Sequence, residues 1–491
     1  MTAERFFLRC AVLGALAFAG GAGATTITVI NNNSAGVGFN DTSTPAAGIG
    51  CQPGDTLGAC RLRVFQTAAD QWERLLNSTV EIQVRAAMDA QNCSGTSAVL
   101  GSAGALSSHA NFLNAPRANI AYPQALANSY AGTDLNIISP DIQATFNLAL
   151  DTGTCLNGTA GWWYNTDPSV AIPNDRTPLL PVVFHEIGHG LGFSSGVNTA
   201  NGAYITGITP SIWASYLYDV ETGKYWKDMT NAERVASSIN DPDLVWTGPR
   251  TSKLSRKFLG PPAKVTINSP AGIAGNYDAQ TAEFGASVAS NPVTGGVVLV
   301  DDGVTGAGTI NDGCETPYVN AAAVAGKIAL IDRGVCVFAL KVKNAQLNGA
   351  IGVIVANNVA AGFPSMAGAD ATIMIPSLGV TQATGTTIKG SLPSPGVNAT
   401  LGQLASGPLS GTNSGCVRMF APNPLQSGSS VSHFHSDAFP NLLMEPALNR
   451  SIFNKVDLTL PLFADIDWST NIEDILFTDS FDPSPCAFVQ P

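Results

Sequence analysis

Apolar and polar positions alternate in "TTITVI", residues 25–30, and predict a short strand, followed by a turn-rich stretch holding Gly36, Gly38 and Asn40. The spacing then changes. In "LGACRLRVFQTAADQWERLLN" the residues Leu62, Val64, Phe65, Ala68, Trp72 and Leu75 fall on one stripe of an amphipathic helix. "VEIQVRAAM" returns to a period of two, with Val80, Ile82 and Val84 on one face, and "ANIAYPQAL" and "DIQATFNLAL" are further strand candidates. "TPLLPVVF" opens a second helix, with Pro178 or Pro181 in its first turn, where a missing N–H costs little. Gly192 suits its end. Strand, helix, several strands and a helix predict a mixed sheet packed on helices, an α+β arrangement.

From about residue 270 the texture shifts to glycine-punctuated apolar runs. "GGVVLVDDG", "GKIALIDRG", "IGVIVANN" and "TIMIPSLGVT" predict strands. "CVFALKVKNAQLNGA" predicts a helix with Phe338, Val342, Ala345 and Leu347 on its stripe and Gly349 closing it. Residues 270–403 resemble a protease-associated domain, the β-rich insert of several secreted peptidases. The residues that carry the likeness are Cys314, Gly326-Lys327-Ile328, Arg333-Gly334-Val335-Cys336, Phe338 and Lys341 to Gly349. The resemblance implies a Cys314–Cys336 disulfide and a substrate-handling or autoregulatory module without chemistry of its own. Beyond it, "DLTLPLFADIDW" predicts a helix capped by Asp457, with Leu458, Leu462, Phe463 and Ile466 on its apolar stripe.

Composition narrows the class. The chain has 491 residues, 45% of them hydrophobic and only 12% charged, enough for two or three cored domains. A formal charge of −12 with no basic face argues against a nucleic-acid partner. The opening "MTAERFFLRCAVLGALAFAGGAGA", residues 1–24, reads as a secretory signal: Arg5 and Arg9, a short apolar run, then Ala22-Gly23-Ala24 for cleavage. No later run is long and apolar enough to span a bilayer. Nine cysteines less Cys10 of the leader leave eight, which in an exported chain implies disulfides, although eight allow about 105 pairings. Neighbours along the chain suggest 51–60, 93–155 and 416–486 beside 314–336. The expected location is extracellular or periplasmic, with the mature chain starting at Thr25 and no long inhibitory propeptide before the first strand.

The chemistry lies in "HEIGHGLGF", residues 185–193. His185 and His189 stand four apart, one helical turn, so both imidazoles can reach one metal ion. The H-E-x-x-H pattern is that of a zinc hydrolase: two neutral imidazoles hold Zn²⁺ and Glu186 acts as general base. Gly188 and Gly190 each cost a helix roughly 1 kcal/mol relative to alanine, which points to close packing around them. A catalytic zinc normally takes three protein ligands and keeps a fourth position open. The third must come from elsewhere.

Only five histidines are present, and outside the helix His433 and His435 alone cluster, in "SHFHSDAFPNLLMEPAL". Positions two apart in an extended segment face the same way, so either could serve. His109, alone in a Ser/Ala-rich segment, reads as a solvated loop residue. Gly192, three residues after His189, is similar to the motif of metzincin metallopeptidases, although the usual third-ligand position is Ser195 here. A late His433-Phe434 pair followed by Leu443-Met444-Glu445-Pro446 resembles the leishmanolysin family, in which an insertion separates H-E-x-x-H from the last ligand. That resemblance implies a zinc endopeptidase acting on proteins or peptides, with His185, His189 and His433 as ligands, Glu186 catalytic and Met444 a structural floor. His435 is then a neighbour of the site or substrate-facing.

The expected architecture is a metzincin-like catalytic domain, a mixed twisted sheet plus helices, interrupted by the protease-associated domain. Its parts are 25–196 with the metal helix, a connection over 197–269, the insert at 270–403, 404–470 with the third ligand and methionine turn, and a tail at 471–491. One catalytic zinc ion is expected; calcium sites and oligomeric state leave no readable pattern. The competing readings are a gluzincin, with a glutamate as third ligand, and a zinc-stabilised adhesion protein. A pure binding protein has no use for Glu186 beside the metal.

Overall fold

The computed structural model describes residues 25–488 apart from 96, 153–154, 157–158, 305–307, 361, 365, 369, 394–395, 405–406, 448–451, 453–456 and 472–484. The expected secretory signal, residues 1–24, lies outside the described residues, as does most of the tail.

Strand β1 (Ile27–Asn31) leads to helix α1 (Leu57–Leu75), which Thr56 caps by accepting the Ala59 N–H at 3.1 Å. The buried face of α1 holds Val64, Phe65, Ala68 and Trp72, the stripe its spacing predicts; Leu62 and Leu75 are only half-buried. Strands β2 (Ile82–Asp89), β3 (Gly101–Ala105), β4 (Ser108–Ala110) and β5 (Ala121–Pro123) follow. After helix α2 (Gln124–Ala131) and strand β6 (Ile142–Asn147) comes helix α3 (Leu179–Leu191). The segment expected as one strand at "ANIAYPQAL" therefore splits after Pro123. Proline has no N–H to continue a ladder, and Pro123 instead caps α2.

The main sheet has the order β1-β2-β6-β3. Its first three strands are parallel, and β3 runs antiparallel along one edge, Gly101 opposite Phe146. Helices α1 and α3 cover it and are tied together by Trp72 Nε1, which donates to Phe184 O at 2.9 Å. Helix α3 starts after Pro178, places Pro181 in its donor-free first turn, and ends at Gly192, whose φ of 125° a side chain would resist.

The insert is a separate body. Its eight-stranded sheet begins at Ala263, earlier than the expected 270, because Ala263–Ser269 pairs antiparallel with Asn398–Gln403. Val293–Leu299, Ile328–Asp332, Gly352–Ala356 and Ser377–Val380 run parallel in its middle. The two central strands are buried on both faces, which accounts for their unbroken apolar runs. Two apolar cores of its own flank this sheet. The stripe expected on Phe338–Leu347 is partly misplaced: Val342 and Ala345 are buried, whereas Leu347 is 63% exposed and Lys341 fully buried.

On either side of the insert the chain is one structure. A five-stranded sheet joins Leu217–Asp219 and Leu244–Trp246 to Cys416–Arg418, with Val245 opposite Arg418. A single core runs from Ile27 and Trp72 through Phe184 and Phe193 to Phe434, Met444, Phe463 and Trp468. All four expected disulfides are present: Cys51–Cys60, Cys93–Cys155, Cys314–Cys336 and Cys416–Cys486. Among the described residues no helix is long and apolar enough to cross a membrane.

Candidate metal centre

Helix α3 brings His185 and His189 onto one face, and the two Nε2 atoms lie 3.0 Å apart. His433, 244 positions beyond His189, joins them at 3.1 Å from His189 Nε2 and 3.3 Å from His185 Nε2. Each ring is pinned through its other nitrogen. Nδ1–H donates to a backbone oxygen at 2.7 Å in all three: Leu443 O for His185, Phe193 O for His189 and Ser429 O for His433. With Nδ1 protonated, a neutral imidazole has only a lone pair at Nε2. Burial depresses all three pKa values, His185 to about 4 and His189, with the charge of His185 adding, to about 3. His433 is held low by burial first and then by His189 and His185.

Three neutral lone pairs thus converge with no proton between them, which is repulsive unless a cation sits among them. Tetrahedral ligands at about 2.0–2.1 Å from zinc stand roughly 3.3–3.4 Å apart. The three Nε2 separations come within a few tenths of an ångström of that, so these residues fit the ion. Carbonyl acceptors on the far nitrogens are the supports that metal-bound histidines usually have.

Glu186 lies on the same helix beneath β3 and is 8% exposed. Burial pushes its carboxyl up to about 8, opposed by a hydrogen bond from the Ala103 backbone. A cation beside it would favour the ionised form.

The floor is the turn at Leu443-Met444. Met444 is fully buried, and its Sδ lies 3.0 Å from where a Cβ on Gly188 would stand. A Cβ on Gly190 would meet Ile142 Cγ2 at 2.3 Å. Both helix glycines therefore answer to packing. Met444 O accepts the Phe434 N–H at 2.8 Å, and Asp457 accepts from Leu443 N and from Thr459 N at 2.8 Å. Asp457 thus links the turn to the start of the helix Thr459–Asp465, where Leu458 occupies the cap position expected for the aspartate.

Ser195, at the usual third-ligand position, donates its N–H to Ser432 Oγ at 3.1 Å and so fastens the loop after α3 beside His433. His435 stays outside the cluster of Nε2 atoms. It is buried against Asp437, Asp241 and Arg418. Burial and Arg418 oppose its charge, but Asp437 and Asp241 outweigh them and raise its pKa. This network braces the third-ligand segment: His435 N donates to Arg418 O at 3.1 Å and Phe420 N to His433 O at 2.9 Å. His109 is in β4 rather than a loop, with Nε2 3.1 Å from Ser107 Oγ, and takes no part in the cluster. Arg418, Asp241, Asp437 and Gly101 carried no signal in the sequence, because isolated residues in irregular or short segments show no period.

Residues 293–388 match the PA domain family model, so the chain contains a PA domain, and residues 49–226 match the model described as SPBPB7E8-like. Among curated proteins the chain is similar to vacuolar-sorting receptor 6 of Arabidopsis thaliana, 33% identical over 103 residues, which are 21% of this chain and 16% of that protein. It is also similar to the probable lipoprotein aminopeptidase LpqL of Mycobacterium tuberculosis, 33% identical over 135 residues, 23% of this chain and 27% of that one. The chain thus spans between about a sixth and a quarter of those relatives' lengths. Among solved structures, the zinc aminopeptidase BSAP of Bacillus subtilis is 21% identical with a TM-score of 0.21, covering 31% of this chain and 35% of that one. An aminopeptidase from Aneurinibacillus is 19% identical with a TM-score of 0.21, covering 39% and 41%.

Proposed function

We propose that the protein is a secreted zinc-dependent endopeptidase with a metzincin-type site resembling that of the leishmanolysin family. The observation that carries this reading is the convergence of the His185, His189 and His433 lone pairs, every Nδ1 proton being engaged elsewhere, next to a buried carboxyl on the same helix. His185, His189 and His433 would hold the ion. Zinc supplies, when bound, a polarised scissile carbonyl and a water acidified to a pKa of about 7. Glu186 takes a proton from the attacking water on its carboxylate and delivers it to the leaving amine nitrogen. The far edge of β3, beside which no strand lies among the described residues, suits an extended polypeptide and supports internal cleavage of peptides. The four disulfides support an oxidising location.

The test is hydrolysis of casein by the purified protein. Activity should vanish with a chelator and return with Zn²⁺, and a chelator-insensitive activity would refute the reading.

A further inference from the structure

Strand β3 reads Gly101-Ser102-Ala103-Gly104-Ala105, and its two glycines face different surroundings. Side chains alternate across a strand, so positions 101, 103 and 105 share one face and 102 and 104 the other. A Cβ on Gly104 would meet nothing within 4 Å. A Cβ on Gly101 would stand 3.0 Å from Glu186 Cγ, and 2.9 and 3.0 Å from two ring carbons of Phe146, its partner across the ladder. Gly101 is not in the left-handed region, so its backbone places no demand for glycine. Space does. Phe146 is a rigid ring fully buried in the core, whereas Glu186 reaches the site on a flexible stem, so the glutamate is the neighbour that yields more readily.

We propose that Gly101 is a positioning residue for Glu186: the absent side chain lets the edge strand close onto the glutamate stem and fix where the carboxyl points. The proposal deepens the function given above and rests on Glu186 being the base. A general base must sit within hydrogen-bond reach of the proton it takes, and a shift of about 1 Å in a reacting group can cost roughly a hundredfold in rate.

The test uses the full chain loaded with zinc. Gly101→Ala should keep stoichiometric metal while kcat falls roughly 10- to 100-fold and KM changes by less than about threefold, the pattern of an interaction lost in the transition state. A second arm reads no activity. Gly101→Ala should lower the melting temperature, and adding Glu186→Ala should restore part of that loss, because it removes the atoms the new methyl meets. Gly104→Ala, with open space before it, should leave the melting temperature unchanged. A kcat within twofold of wild type, or strictly additive melting losses in the double variant, would overturn the clamp. If the wild-type protein cleaves no peptide, the proposed function fails by itself and the thermal cycle alone decides the clamp. If Gly101→Ala does not fold, recovery of folding in the double variant supports the proposal and failure of both overturns it.

Discussion

Glu186 and the three imidazoles face opposite electrostatic demands within one buried site. Burial keeps the imidazoles neutral, as ligands must be, but the same burial lifts the Glu186 carboxyl to about 8. Glu186→Gln keeps the shape and removes the base. It should retain one zinc per chain and lower kcat roughly 10²- to 10⁴-fold, as stopped assays with metal analysis would measure. The two late histidines separate cleanly. His433→Ala removes a converging lone pair and should weaken metal affinity about 10- to 100-fold or more. His435→Ala should keep stoichiometric zinc but lower the melting temperature, since Arg418, Asp241 and Asp437 would lose a buried partner. Zinc lost only from the His435 variant would reverse this assignment.

At the scale of elements, α3 is a helix whose composition disfavours it locally and whose packing explains why. Alanine at position 190 would gain roughly 1 kcal/mol of helix propensity. Its methyl would stand 2.3 Å from the branched, fully buried Ile142, and overpacking of this kind costs about 1–3 kcal/mol. Gly190→Ala should therefore melt several degrees lower, not higher, in calorimetry of the zinc-loaded protein. Gly188→Ala meets the Met444 sulfur most closely, at 3.0 Å, and that flexible side chain can yield, while Trp72 Cζ2 stands at an ordinary 3.4 Å. Its loss should be the smaller of the two. The helix itself was readable from H-E-x-x-H and its flanking prolines and glycine. The need for both glycines was legible only as an anomaly, since their neighbours, Ile142 and Met444, are remote in sequence.

Across the whole molecule, the insert leaves and rejoins the rest at one place. Ala263 pairs with Gln403, Leu404 N donates to Pro262 O at 3.2 Å, and Ser410 N donates to Gly260 O at 2.9 Å. Adjacent ends permit excision with a short linker. Replacing residues 263–403 should leave a folded protein that still binds zinc, because the proposed ligands and the Met444 turn lie outside the insert. Zinc content of the excised protein checks this. The cut must also respect a contact: Gln280, Thr281, Glu283, Met366 and Ala367 of the insert border a small cavity with Asn441, Glu445 and Ala447. Loss of metal from a folded excised form would mean that this seat on the methionine turn helps to build the centre.

Residue spacing by itself determined that His185, Glu186 and His189 share a helical turn. Periodicity also gave away α1, and unbroken apolar runs gave away the central strands of the insert. These features depend on neighbours within a few positions, where helical and strand geometry translate directly into sequence. Spacing left His433 and His435 equivalent, since both face one way in an extended segment. Only the tertiary structure separates them: the segment lies against Cys416–Arg418 so that His433 meets the helix and His435 meets Arg418. The same limit hid the exposed Leu347 and the role of Gly101. Each is decided by what packs against it from a distant part of the chain, and contact across such a separation leaves no period in one sequence.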